Sequence, residues 1–211
     1  MPDLEKLNEA LIQGDWKTAA AVTQAALAEG VAPLTIVTGH LVPAMDEVGR
    51  LFDCEEYFVP EMLLSARAMK AAMEIIRPLL TESGVEPIGR VVIGTVKGDL
   101  HDIGKNLVAA MLEGGGFEVI DLGADVAPEL FIEAASTRHA NLVALSALLT
   151  VTMPSMKTTI DAFRAAGVRE RVKIIVGGAP VTQQYADSIG ADGYGESAGA
   201  AVALARRLVA A

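Results

Sequence analysis

The first part of the chain, up to about residue 80, has apolar positions recurring at helical spacing and no alternation typical of strands. The pattern predicts a first helix that ends at Gly14 and a second that follows Asp15 as its N-cap and ends at Gly30. Pro33 is predicted to open a third helix, and a fourth begins near Pro60. Short connections between these helices predict a small antiparallel four-helix bundle.

A polar, turn-rich segment, residues 81–89, is predicted to be a linker, and the pattern changes after it. Apolar strands alternating with helices are predicted at residues 90–95, 117–122, 141–146 and 172–176, with a short fifth strand near 192–194. Strands of this kind predict a parallel sheet covered on both faces. The fold class is therefore an α-helical bundle (1–85) followed by a flavodoxin-like, Rossmann-type doubly wound five-stranded α/β domain (86–211).

Sheets of this type bind ligands at the carboxyl edge of their strands, beside the switch point in strand order. The segment GDLHDIGKN, residues 98–106, follows the first strand and is therefore expected at that edge. It carries His101 between Asp99 and Asp102, and carboxylates would repel a phosphate. We interpret Asp102 as a helix N-cap, which leaves His101 and Asp99 as the candidate chemical pair.

A histidine with a nearby carboxylate has several possible roles. The other histidines, His40 and His139, show no metal-ligand spacing to His101, so a mononuclear zinc site is not predicted. No nucleophile elbow of the G-x-S-x-G type follows a strand, which argues against a Ser-His-Asp hydrolase. A carboxylate can orient a metal-ligating histidine, and one protein ligand would suffice if a macrocycle supplied the others.

Three elements of the sequence share one spacing pattern. D-x-H-x-x-G is followed by residues 105–145, a spacer of 41, then S-x-L, then residues 149–176, a spacer of 28, and G-G. This pattern resembles that of cobalamin-binding domains. The matching residues are Asp99, His101, Gly104, Ser146, Leu148, Gly177 and Gly178.

The resemblance implies cobalamin bound base-off, with its nucleotide tail inside the protein and His101 as the metal ligand on cobalt. Asp99 and Thr152 would complete a His-Asp-hydroxyl relay with His101, although family members often carry serine where Thr152 stands. The implied cofactor-binding residues around them are Gly98, Leu100, Ile103, Gly104, Ser146, Leu148, Thr150, Gly177, Gly178, Tyr194 and Gly195.

The helical region carries a second resemblance. Residues 48–73 are similar to the helical cap of methionine-synthase-type and methyltransferase corrinoid proteins, which covers the upper face of the corrin ring. The matching residues are Gly49, Phe52, Phe58, Pro60, Ser65, Ala66, Ala68 and Met69. The resemblance implies that Phe58 and Met62 shield the cofactor.

Together the two resemblances imply a corrinoid methyl carrier that uses methylcobalamin and cob(I)alamin and does not turn over alone. Its partners would be a donor-specific methyltransferase, an acceptor methyltransferase acting on tetrahydrofolate or a thiol, and a reductive activase for Co(II). The small subunit of an adenosylcobalamin-dependent mutase and a cobalamin-dependent sensor or regulator remain alternatives. The sequence does not separate methanol, methylamines, betaines and methoxyaromatics as donors.

Composition bears on partners and location. The net charge of −10 without a basic run disfavours nucleic acid and membrane surfaces as partners. A single cysteine, Cys54, fits a reducing compartment, and neither a signal peptide nor an apolar run of ~20 residues is seen. We therefore expect a cytoplasmic protein.

Overall fold

The computed structural model describes residues 3–84 and 86–210, without the side chain of residue 81. The described chain divides into two compact units. The helical unit comprises residues up to 87 together with 113–116, and the sheet unit comprises 88–112 and 117 onward. The predicted domains, 1–85 and 86–211, and the predicted linker include residues 1, 2, 85 and 211, which lie outside the described residues. Those boundaries therefore stay a prediction.

The helical unit is built as the pattern predicts, from helices whose apolar sides face one another. Asp15 caps the second helix, because its carboxylate accepts a hydrogen bond from the Thr18 N–H. Within the described ranges, no helix is both long and apolar enough to span a membrane. The helices are α1 (Leu4–Ile12), α2 (Trp16–Ala28), α3 (Pro33–Ile36), α4 (Val42–Asp53) and α5 (Val59–Glu82).

The predicted third helix is not one regular α-helix. A π-helical turn, Val37–Leu41, separates α3 from α4, and the Val42 N–H bonds to the Val37 carbonyl. The physical reason is Pro43, which has no N–H to donate to the carbonyl four residues earlier. The wider turn keeps the chain helical past the proline.

The sheet unit confirms the predicted parallel five-stranded fold. Its strand order is β2-β1-β3-β4-β5, and every neighbouring pair is parallel. This order is that of flavodoxin-like sheets, with the switch point between β1 and β3. The strands are β1 (Arg90–Thr95), β2 (Glu118–Asp121), β3 (Leu142–Ser146), β4 (Lys173–Gly177) and β5 (Gly193–Gly195).

The two faces of the sheet are covered by different helices. The helices of this unit are α6 (Ile103–Gly114), α7 (Pro128–Thr137), α8 (Pro154–Ala165), α9 (Gln183–Ile189) and α10 (Ala198–Ala210). One face packs tightly around the buried Phe131 of α7 and Phe163 of α8. On the other face, α10 packs against β4 and β5.

Asp192 fastens the short edge strand β5 to β4. Its backbone N–H donates to the Ile174 carbonyl, and its Oδ2 accepts from the Ile174 N–H at 2.7 Å. The guanidinium of Arg169 donates to the same oxygen at 2.7 Å. Because both donors are largely buried, losing the carboxylate would leave them without this partner.

We expect Asp192→Ala to lower the free energy of unfolding by about 2 kcal/mol, since two partly buried donors lose a charged acceptor. Denaturant unfolding followed by circular dichroism measures the change. Asp187→Ala is the matched control, because among the described residues this exposed carboxylate bonds only the Gln183 side chain. Its effect should stay within about 0.5 kcal/mol. Equal effects of the two variants would contradict the fastening role of Asp192.

Candidate functional site

A cavity of about 560 Å³ opens at the carboxyl edge of the sheet unit. Ile93, Ala144 and Ile175 reach it from β1, β3 and β4, on the face opposite the tightly packed core. Small residues, including Gly195 and Ala201, leave the space open. The predicted residues that line the cavity are Leu100, His101, Ile103, Gly104, Ser146, Leu148, Gly177, Gly178, Tyr194 and Gly195.

Asp99 is the centre of the hydrogen-bond network beside the cavity, and it is completely buried. Its Oδ1 accepts from the His101 backbone N–H at 3.0 Å and from His101 Nδ1 at 2.8 Å. Its Oδ2 accepts from the backbone N–H groups of Leu148 and Leu149 at 2.8 and 3.4 Å and from Thr152 Oγ1 at 2.6 Å. A buried carboxylate is thus supplied with five donors.

These donors determine the charge of Asp99. Burial by itself raises the pKa of the carboxyl, because the ionised form loses its hydration. The hydrogen bonds from Thr152, from the His101 and Leu148 backbones and from the His101 ring outweigh that effect and hold the pKa well below its usual range. Asp99 is therefore ionised at neutral pH and acts only as an acceptor.

The ionised Asp99 fixes the tautomer of His101. A carboxylate cannot donate, so Nδ1 must carry the proton of this hydrogen bond, and the neutral ring keeps a lone pair on Nε2. The His101 side chain is half exposed, and Nε2 bonds to no other described residue. A basic nitrogen in a fixed orientation at a cavity wall is suited to bind one open position of a metal.

The Thr152 hydroxyl is shared between two acceptors. It lies 2.6 Å from Asp99 Oδ2 and 2.8 Å from the Leu149 carbonyl, and it has one proton to donate. The ionised carboxylate is the stronger acceptor, which favours the bond to Asp99. The structure thus brings His101, Asp99 and Thr152 together in one hydrogen-bonded chain, whose role as a relay stays a prediction.

Four of the other predicted residues lie away from the cavity lining. Thr150 is exposed on the loop after β3, and Gly98 lies at the start of the loop that carries His101, with a φ of +88°. In the helical unit, the Phe58 side chain is 62% exposed, whereas Met62 is 1% exposed among the bundle helices. Of the two predicted covering side chains, only Phe58 is accessible in this conformation, and both assignments stay predictions.

Gly178 and Gly104 both line the cavity, but the surroundings of a side chain at the two positions would differ. A Cβ on Gly178 would lie 1.9 Å from the Ala147 carbonyl oxygen, and its φ is +128°, so the fold itself requires glycine there. The resemblance implies that Gly178 also binds the cofactor, and that role stays a prediction. A Cβ on Gly104 would meet no atom within 4 Å, so this position alone of the two leaves usable space.

Sequence reasoning missed several lining residues, among them Lys105. Lys105 is 2% exposed, and its ammonium group forms an ion pair with Asp121 at the end of β2. A lysine in the first turn of a helix reads as solvent-exposed, so no sequence signal pointed to this pair. Two further lining residues on α6, Leu107 and Val108, follow Gly104 at helical spacing, which would have indicated them. The missed small residues on α10 are Ala198 and Ala201.

Among the described residues, no three His, Cys, Asp or Glu side chains cluster as a metal site would require. A metal held here would therefore need most of its ligands from a bound group, with His101 as the protein ligand. Fold and site define a ligand-binding α/β unit in which an oriented imidazole stands beside a largely apolar cavity. This donor set fits a metal held in a macrocycle, and the cavity beside His101 has room for part of such a group.

Two family models match the chain. Both are described as B12 binding domain, one matching residues 89–203 and the other residues 3–77. The chain therefore belongs to the B12-binding family, and cobalamin is the cofactor that the site fits.

Similar proteins are known across nearly the full length. The chain is 45% identical to trimethylamine corrinoid protein 2 of Methanosarcina mazei over 95% of this chain and 93% of that one. A cobalamin-binding protein from Desulfitobacterium hafniense superposes with a TM-score of 0.80 at 32% identity, covering 99% of both chains. The methanol:cobalamin methyltransferase complex of Methanosarcina barkeri gives a TM-score of 0.85 at 31% identity, covering 98% of this chain and 79% of that one.

We expect Gly104→Leu to abolish retention of cobalamin while leaving the fold as stable as before. The added side chain would enter the cavity, and leucine is a better helix former than glycine by roughly 0.5–1 kcal/mol. Cofactor absorbance after reconstitution and gel filtration, together with thermal unfolding of the cofactor-free protein, measures both effects. Asn106→Leu, at an exposed position of the same helix outside the cavity, is the control and should retain the cofactor. Full retention by Gly104→Leu would place the tail elsewhere.

Proposed function

We propose that this protein is a corrinoid methyl carrier, which accepts a methyl group from a donor-specific methyltransferase and delivers it to an acceptor methyltransferase. When bound, cobalamin supplies the cobalt on which the methyl group travels. The observation that carries the proposal is the match of both units, residues 3–77 and 89–203, within one chain. A mutase small subunit would normally lack the helical cap, so the match of residues 3–77 favours the carrier.

Each residue of the site in the sheet unit has its own proposed role. His101 would hold the metal through Nε2, since Nδ1 is committed to Asp99. Whenever Nε2 is not coordinating, it can accept a proton, and the ionised Asp99 beside it stabilises the positive charge. Thr152 holds the other carboxylate oxygen and keeps Asp99 from turning away. Ser146, Leu148 and the glycine pair would line the tail, as the resemblance implies.

The donor that we propose first is a methylated amine. The 45% identity to a trimethylamine corrinoid protein exceeds the 31% identity to the methanol complex. The methyltransferase partner is supported by the similarity of this chain, over 98% of its length, to a chain of that methanol:cobalamin methyltransferase complex. An acceptor enzyme using tetrahydrofolate or a thiol, and a reductive activase, complete the proposal. A cytoplasmic location stays a prediction of the sequence.

Methyl transfer tests the proposal directly. The reconstituted and reduced protein is mixed with a trimethylamine-specific or a methanol-specific methyltransferase and the matching substrate labelled in its methyl group. We expect label to co-elute with the corrinoid protein only in the amine reaction, because the partner must recognise this carrier. Protein without cobalamin is the control and should stay unlabelled. Labelling from methanol alone would reassign the donor, and no labelling by any methyltransferase would contradict the carrier function.

The role of His101 has its own prediction. In the Co(II) form, a nitrogen ligand splits the electron paramagnetic resonance lines into triplets, because ¹⁴N has nuclear spin 1. We expect the splitting in the unchanged protein, its loss in His101→Ala and its return when free imidazole is added. Cobalamin should remain bound in the variant, since the cavity is intact. His40→Ala, whose ring bonds Asn8 in the helical unit, should keep the splitting. Triplets that persist in His101→Ala would identify another ligand.

A further inference from the structure

The His101 loop, residues 97–102, is held at its peptide groups by side chains that lie outside the loop. The Ser155 hydroxyl donates to the Lys97 carbonyl at 2.9 Å. The Thr95 hydroxyl donates to the His101 carbonyl at 2.9 Å. The part of the loop that carries Asp99 lies between these two bonds. One residue of the loop after β2 forms hydrogen bonds with this part of the backbone.

That residue is Asp125. Its Oδ1 accepts a hydrogen bond from the Gly98 backbone N–H at 2.8 Å, and its own N–H donates to the Asp99 carbonyl at 2.9 Å. Its Oδ2 pairs with Lys97 Nζ at 3.0 Å. Asp125 therefore bonds the two residues that precede Leu100 through both its side chain and its backbone. None of the sequence motifs includes it.

The backbone of Asp125 is in the left-handed region, with a φ of +57°. Non-glycine residues are uncommon there, although aspartate and asparagine tolerate it better than most. A glycine would take this conformation without steric cost. If the turn were all that mattered, glycine would serve at least as well, so the carboxylate has a separate use.

The backbone bond matters more than the ion pair. The Lys97 and Asp125 side chains are 58% and 40% exposed, and exposed pairs contribute little. The hydrogen bond from the Gly98 N–H is the largest cause that lowers the pKa of Asp125, and Lys97 adds to it. The carboxylate is thus ionised and holds a peptide whose glycine has a φ of +88°.

We propose that Asp125 is a positioning residue for the metal ligand: by holding the Gly98–Asp99 peptide, it keeps Asp99 in the place from which it orients the His101 ring. The inference rests on the proposed role of His101. The chain of contacts is direct. Asp125 bonds the backbone of residues 98 and 99, the Asp99 carboxylate bonds Nδ1, and the ring presents Nε2.

Two substitutions separate the carboxylate from the turn. Asp125→Asn keeps a side-chain oxygen for the Gly98 N–H and tolerates a positive φ. Asp125→Gly removes that oxygen but takes the same φ without strain, so it should fold. His139→Gly is the matched control, because His139 also has a positive φ, +51°, and precedes β3 at the opposite edge of the sheet.

The first measurement needs no cofactor. Amide hydrogen exchange of the full-length, cofactor-free protein reports the Gly98 N–H directly. We expect exchange at Gly98 to be roughly tenfold faster in Asp125→Gly than in the unchanged protein and little altered in Asp125→Asn and His139→Gly. Unchanged exchange at Gly98 in Asp125→Gly would overturn the proposal at its first step.

The second measurement uses electron paramagnetic resonance to detect the nitrogen ligand on cobalt. After reconstitution with cob(II)alamin, the fraction of protein that shows nitrogen triplet splitting is compared at one pH. We expect this fraction to fall several-fold in Asp125→Gly, while cobalamin stays bound, and to be preserved in Asp125→Asn and His139→Gly. Full splitting in Asp125→Gly, or an equal loss in Asp125→Asn, would overturn the positioning role.

The two measurements distinguish failure of this inference from failure of the proposed function. If the unchanged protein shows no nitrogen splitting, His101 is not the ligand, and the inference fails together with the role on which it rests. If the unchanged protein shows the splitting and Asp125→Gly also shows it in full, only the positioning role fails. Loss of cobalamin from a folded Asp125→Gly would also overturn the inference, because it would place Asp125 in tail binding.

Discussion

The site depends on one buried, ionised carboxylate. Removing the charge of Asp99 from water is costly unless hydrogen bonds replace its hydration, and five donors do so here. The donors come from two loops that are far apart in the sequence, the one after β1 and the one after β3. Displacement of the loop after β3 would remove three of the five donors from a buried charge. The position of His101 is therefore set by the electrostatic requirement of Asp99, which these two loops satisfy together.

The topology makes this arrangement possible. Strands β1 and β3 are neighbours in the sheet although β2 lies between them in the sequence. At such a switch point the following helices leave to opposite faces, and a crevice opens between the loops. Asp99 bridges that crevice, with His101 on one side and Leu148 and Thr152 on the other. The fold supplies the opening, and the carboxylate fixes the geometry of its walls.

Much of this could be predicted from the sequence because the signals are local. Apolar runs gave the strands within a residue or two, and the resemblance to cobalamin-binding domains implied many of the residues that line the cavity. The missed features depend on contacts between distant segments. The burial of Lys105 requires Asp121 at the end of a neighbouring strand, and the hold of Asp125 on Gly98 requires the loop after β2. Met62 was expected to shield the cofactor, yet in this structure bundle packing buries its side chain. Such contacts leave no periodicity to detect.

The cavity at the carboxyl edge of the sheet is itself a physical argument for a ligand. A chain with 52% apolar residues has enough of them to fill a 560 Å³ space, yet it places glycine and alanine there. At the same sheet edge, Leu100, Ile103 and Val151 are 76%, 68% and 79% exposed, where burial would be favourable. An apolar group that covers these side chains and fills the cavity binds only the folded state and so stabilises it. A ligand of this kind would therefore complete the burial of apolar surface in the sheet unit, at the edge where the hydrogen bonds of Asp99 hold His101.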